Sequence, residues 1–175
     1  KADANGEVTF EKVQLGYYAI DTSLGTVCAL TNVDNTFVAH EKNEKPEVDK
    51  FVQEDSKVTE TNEAWGKAND AAIGETVNFK ATVTVAEGAT NYVLYDTMSD
   101  GLTFDKEVTV KVDGAIVDAS NYTLTYESLA DCTFKVEFKN KYIETLEAGK
   151  VIEVYYSATL NENAYIVVDG NDNTV

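Results

Sequence analysis

Apolar and polar residues alternate along this chain with a period of two, in short runs broken by turn residues, and no stretch carries a sustained 3.6-residue apolar period. The clearest run is Thr76–Val85, where Val77, Phe79, Ala81, Val83 and Val85 are separated by polar residues and predict a strand with one buried face. Further strands are expected at Val48–Gln53, Tyr92–Met98, Val108–Val112, Ala115–Val117, Tyr122–Tyr126, Cys132–Phe138 and Val151–Leu160, with a short one at Tyr165–Val168. Asp113-Gly114 reads as a hairpin turn and Ser99-Asp100-Gly101-Leu102-Thr103-Phe104 as another turn. Before residue 45, Asn5-Gly6 marks a hairpin, Val8–Phe10, Leu15–Ile20, Thr26–Leu30 and Thr36–Ala39 look extended, and Leu24-Gly25 turns. A helical turn is the expectation near Asn62–Ala72, with Trp65 plugging the end of the core.

About eight short strands at regular spacing, rich in Thr, Val and Tyr, predict an all-β, antiparallel, immunoglobulin-like sandwich. The strands of residues 1–44 are too few to close a sandwich, so they are expected to be the C-terminal strands of another β domain plus a linker, with the full sandwich at 45–175. The opening residues read as the middle of a strand-and-turn region, and the chain is expected to be a piece of something longer.

Charge narrows the partners. Of 175 residues, 31 are acidic and 14 basic, a formal net charge of −17, and the basic residues are scattered singly. Nucleic acid and anionic membrane both require clustered positive charge, so neither is an expected partner. No apolar run is long enough to span a bilayer, and no signal peptide or terminal anchoring motif is read. Cys28 and Cys132 lack metal-ligand spacing; a single bridge and two buried thiols both stand as readings. No cofactor is expected.

Chemistry enters at Lys45–Gln53. Strand alternation puts Val48, Lys50 and Val52 on one face, so an ammonium lies among apolar side chains unless Lys50 reaches water from an edge strand. A buried lysine loses its charge or finds a carboxylate, and a neutral amine is a nucleophile. In Tyr92–Met98 the same alternation puts Tyr92, Leu94, Asp96 and Met98 on one face, a carboxyl within an apolar set, unless Asp96 caps a turn. At the end of the chain, Asn171 and Asn173 are two apart and precede the β-prone Thr174-Val175.

Three runs then carry a resemblance: Tyr95–Phe104, Tyr156–Glu162 and Gly170–Val175. In that order, over about residues 45–175, the chain resembles the isopeptide-forming fimbrial (pilin) domain of Gram-positive surface proteins, of the collagen-adhesin type. Gly6–Phe10 and Leu15–Tyr18 resemble the tail of a preceding pilin domain. The resemblance implies that Lys50 condenses with Asn173, or with Asn171 as the fallback acceptor, releasing ammonia with Asp96 as the assisting acid. It implies a structural role in a pilus or surface adhesin, on the outside of a cell-wall-bearing bacterium. Partner subunits, attached covalently by a sortase or not, and a host ligand follow from the same resemblance. Pilins of this kind present a sortase-acceptor lysine in a valine-tyrosine-proline-lysine-asparagine context; in the corresponding stretch Val38-Ala39-His40-Glu41-Lys42-Asn43, Lys42-Asn43 matches but the tyrosine and proline do not.

Other classes stay open at this stage. Exposed loops such as Ala86–Asn91 could bind glycan or protein, and a plain spacer would keep Lys50 and Asp96 as an ion pair. Asp169-Gly170-Asn171-Asp172 lacks calcium-loop spacing, and His40 has no metal or catalytic partner in sequence. No Ser or Cys nucleophile with a histidine base is legible, so an enzyme turning over external substrate is not expected.

Overall fold

The computed structural model describes residues 8–14, 16–21, 27–32, 46–54, 64–165 and 171–175. The chain divides into two units, Lys1–Asn43 and Glu44–Val175. In the first, β1 (Gly16–Asp21) and β2 (Val27–Asn32) form an antiparallel pair with Gly16 opposite Asn32 and Asp21 opposite Val27. The readings at Asn5-Gly6, Thr36–Ala39, His40 and Lys42 lie outside the described residues, as does the side chain of Cys28 and hence its pairing with Cys132.

Among the described residues the second unit carries ten strands: β3 (Glu47–Glu54), β4 (Ala64–Gly66), β5 (Thr76–Thr84), β6 (Val93–Met98), β7 (Leu102–Val112), β8 (Ala115–Ile116), β9 (Tyr122–Thr125), β10 (Phe134–Phe138), β11 (Val151–Leu160) and β12 (Asn173–Thr174); the short strand expected at Tyr165–Val168 falls almost wholly outside them. They build a six-stranded sheet, β4-β3-β5-β11-β7-β8, and a four-stranded sheet, β12-β6-β10-β9, with every neighbour antiparallel. The expected antiparallel sandwich is the observed one. No helix among the described residues is long and apolar enough to cross a membrane.

The two inner faces meet in one core. Val77, Phe79, Ala81 and Val83 of β5 join Ile152, Val154, Tyr156 and Ala158 of β11, opposed by Leu94, Met98, Phe134, Val136 and Phe138. Each large apolar side chain so buried contributes roughly 1.5–3 kcal/mol relative to exposure. The hairpin at Asp113-Gly114 has both residues in the left-handed region, φ 52° and 78°, the geometry whose twist matches the flanking strands.

Four expectations need correction. Val8–Phe10, read as a strand, lies in none, and Val8 and Phe10 are exposed. The run Ser99–Phe104 turns only at its start: Leu102 N–H donates to the Ser99 carbonyl at 3.0 Å, and β7 begins there because Leu102 and Phe104 resume alternation into the core. The stretch around Asn62–Ala72 holds strand β4 rather than a helical turn, since Trp65 pairs with Gln53 of β3. Trp65 therefore shares the outer face of the sheet, edge-on to Tyr155 at 5.7 Å, and does not plug the core. Finally, Val48 is 48% exposed at the start of β3, so the apolar face read around Lys50 is closed on one side only, by Val52.

Candidate functional site

Lys50 stands on β3 directly opposite Ala81 of β5, which is fully buried; the small side chain leaves room for the lysine stem to turn into the core. The Lys50 side chain is 12% exposed. Its amine lies 5.5 Å from the ring centre of Phe79 and 5.4 Å from that of Tyr156, a cation–π setting within an otherwise apolar wall. Nζ donates to Oδ2 of Asp96 at 2.5 Å.

Asp96 is the sole buried charged residue among those described, at 0% exposure, placed inward by β6 between buried Leu94 and Met98. The amine of Lys50 comes from the opposite sheet, so the pair bridges the sandwich. The Tyr156 hydroxyl, from the middle of β11, donates to the same Oδ2 at 2.5 Å, while Oδ1 is buried without a partner.

The third member arrives on β12. Asn173 is opposite Met98 and Thr174 opposite Thr97, so Asn173 shares the inward face of Met98 and is diagonal to Asp96. Its Nδ2 and Oδ1 are both buried without a hydrogen bond, an arrangement that costs free energy wherever it occurs. Its carboxamide nevertheless acts on Asp96 and Tyr156 at close range, lowering the pKa of each. Asn171 is differently employed. Its side chain accepts from the Tyr165 N–H at 3.0 Å and donates to the Tyr165 carbonyl at 3.3 Å, and it lies over Gly101, where an added Cβ would come within 2.1 Å of Oδ1. Gly101 and the bond from Ser99 N–H to the Asp172 carbonyl, 2.9 Å, thus seat the returning chain so that Asn173 meets β6.

The electrostatics follow from burial. Desolvation lowers Lys50 from 10.5 to about 8, against the pull of Asp96 that favours the charged amine. Desolvation raises Asp96 despite Lys50, Tyr156 and Asn173. Both shifts favour the same redistribution, a neutral amine beside a protonated carboxyl. Burial and then the charge of Asp96 push the Tyr156 hydroxyl upward, so it stays a donor. A neutral amine, a carboxyl that can donate, and an uncommitted carboxamide in a dry interior are the reactants for an amide exchange.

The structure brings Lys50, Asp96 and Asn173 to one place, and it occupies Asn171 elsewhere. Tyr156 and Phe79 were not legible as members of the site, although one signal existed: alternation in Val151–Leu160 buries Tyr156, and a buried phenol needs a partner. Among the described residues no group of three or more His, Cys, Asp or Glu could hold a metal ion; Asp169 and Gly170 lie outside them.

No protein-family model matches the chain, and no curated protein matches it. Among solved structures it is similar to the pilus backbone RrgB from Streptococcus pneumoniae, at 26% identity and a TM-score of 0.55, over 74% of this chain and 50% of that one. The full-length major pilin SpaD from Corynebacterium diphtheriae matches at 15% identity and a TM-score of 0.58, over 87% of this chain and 40% of that one. BcpA, the major pilin subunit of Bacillus cereus, matches at 16% and 0.53, over 99% and 57%. The chain thus spans half of that RrgB structure, and 28% of the full-length major pilin RrgB, which it matches at 21% identity and a TM-score of 0.54. Its fold is pilin-like, and these neighbours are structural pilins rather than enzymes.

Proposed function

We propose that this chain is a structural piece of a pilus or surface adhesin from the exterior of a Gram-positive bacterium, closed by an amide bond that it forms itself between Lys50 and Asn173. The observation that carries the reading is the buried cluster: an amine with a lowered pKa, a fully buried acid bonded to it at 2.5 Å, and a carboxamide beside them with no hydrogen bond of its own. Likeness to pilus backbone subunits supports the structural role.

In this reading the Lys50 proton passes to Asp96, leaving a neutral amine that attacks Cγ of Asn173. The Asp96 proton goes to the carboxamide as charge develops on its oxygen, and the tetrahedral carbon collapses by expelling Nδ2 as ammonia. One Cγ–N bond forms and one breaks. Holding amine and carboxamide together in the folded core supplies the proximity, worth about 7–11 kcal/mol of barrier in well-oriented systems. The event occurs once per molecule, as self-modification.

The bond would join β3, the first strand of the second unit, to β12, the last described. For a closed loop on the order of 100 residues the chain-entropy treatment used for disulfides gives about 5 kcal/mol. Tension applied at the ends would then run through a covalent link instead of unzipping strands. Assembly with further pilin subunits belongs to this proposal, and Lys42 is its sortase-acceptor residue. A plain spacer would keep Lys50–Asp96 as an ion pair. The intact mass separates the two: the folded chain should be lighter than its sequence by one ammonia, and Lys50→Ala should carry the full mass. A folded parent at full mass removes the cross-link.

A further inference from the structure

Asp96 is bonded lopsidedly. Oδ2 receives both the Lys50 amine and the Tyr156 hydroxyl, each at 2.5 Å, while Oδ1, equally enclosed, receives nothing. The two oxygens of a carboxylic acid are not equivalent: one accepts as a carbonyl, the other carries the proton and donates. An oxygen already taking two hydrogen bonds is the poorer place for a proton, since a hydroxyl oxygen accepts less well than a carbonyl one. The Tyr156 ring has little freedom to withdraw its hydroxyl, being stacked on Phe79 at 5.6 Å and met edge-on by Phe134 at 4.9 Å.

We propose that Tyr156 is a positioning residue for cross-link formation: its hydroxyl holds Oδ2 of Asp96 as the acceptor beside the Lys50 amine and leaves Oδ1 to carry the acid proton to Asn173. This role rests on the cross-linking reading above. It makes the carboxyl a two-ended relay. As the amine attacks, one of its protons moves to Oδ2 and the Oδ1 proton moves to the carboxamide, so the acid is regenerated with its oxygens exchanged and no other reactant is needed. The titratable groups facing Asp96 are Lys50 from β3, Tyr156 from β11 and the half-buried Cys132 thiol before β10, which senses the Asp96 charge; β12 brings the neutral Asn173.

The test times ammonia loss by intact mass after refolding, from pH 5 to 10, chain that was collected unfolded and therefore unreacted, with folding followed separately by circular dichroism. Tyr156→Phe keeps the ring and removes the donor. The expected result is cross-linking slower by about tenfold, the loss of one hydrogen bond to a charged group, with the alkaline limb of the rate profile moved to higher pH because the carboxylate has lost a stabilising donor. A 3-fluorotyrosine at position 156, a more acidic donor of nearly the same shape, should move that limb the other way. Ile152→Val, a core-packing control further along β11 and opposite Val83 and Val112, should leave the limb where the parent has it. Tyr156→Phe reacting like the parent at every pH, or slowed evenly with its limb unmoved as in Ile152→Val, overturns the positioning role. A parent that keeps its ammonia overturns the cross-link itself, and this role with it.

Discussion

The two faces of the six-stranded sheet hold nearly the same functional groups in opposite circumstances. On the outer face, Lys80 of β5 lies over Phe51, Trp65 and Tyr155 and pairs with Glu153 at 3.7 Å, and Asn78, two residues along, donates to Gln53 at 3.0 Å. On the inner face, Lys50 lies beside Phe79 and Tyr156, pairs with Asp96 at 2.5 Å, and has a carboxamide in Asn173. Amine, aromatics, carboxylate and carboxamide occur in both. The outer carboxylate is part-exposed and the outer carboxamides bond each other, whereas Asp96 is sealed from water and Asn173, though close to Asp96 and Tyr156, makes no hydrogen bond. In the proposed reaction the difference would lie in dehydration of the acid and an unspent carboxamide, since a lysine on aromatics with a nearby acid is present on both faces.

Asp96→Ala should break the inner set most severely. It stops the bond, losing about 5 kcal/mol of cross-link stabilisation, and strands a buried amine, which costs about 3–5 kcal/mol more where a partner is removed; denaturant melting checks the sum. Asn173→Ala should lose the cross-link term alone, about 5 kcal/mol, and keep the ion pair. Gly101→Ala should impair the seating of β12, since its Cβ would fall 2.7 Å from the Ala164 backbone as well as on Asn171; overpacking of this kind costs about 1–3 kcal/mol, and reaction should slow in the refolding mass assay. Lys80→Ala, the outer counterpart, should cost no more than about 1 kcal/mol and leave ammonia loss untouched. An outer substitution that blocked the reaction would dissolve the contrast.

The last expected effect is a slope with pH. With the amine held near 8 in the folded state against 10.5 ordinarily, the unfolded chain binds more protons between those values. The stability of Asn173→Ala should therefore rise with pH across that window, from the Lys50 contribution, and level off below it. Adding Lys50→Met should flatten the rise in pH-dependent urea melts.

Much of this was legible because period-two alternation reports burial directly. Thr76–Val85 and Val151–Leu160 gave their inner faces residue by residue, and Asp96 was identifiable as an acid among Tyr92, Leu94 and Met98. What stayed hidden depends on distant pairing. Trp65 went to the outer face because its register with Gln53 is set by β3, and nothing local encodes that. The sequence ranked Asn173 before Asn171, but the cause of their difference was hidden, since it involves Gly101, remote in sequence, as well as the nearby Tyr165. Tyr156 was legible as a core aromatic, but its hydroxyl finds its partner across the sandwich.

The most direct test is to digest the folded chain and sequence the peptides by tandem mass spectrometry. The account predicts one branched species in which the side chain of Lys50 is joined to that of Asn173 with one ammonia lost, absent from Asp96→Ala. Linear peptides carrying a free Lys50 and an intact Asn173, or a branch ending at Asn171, would contradict it.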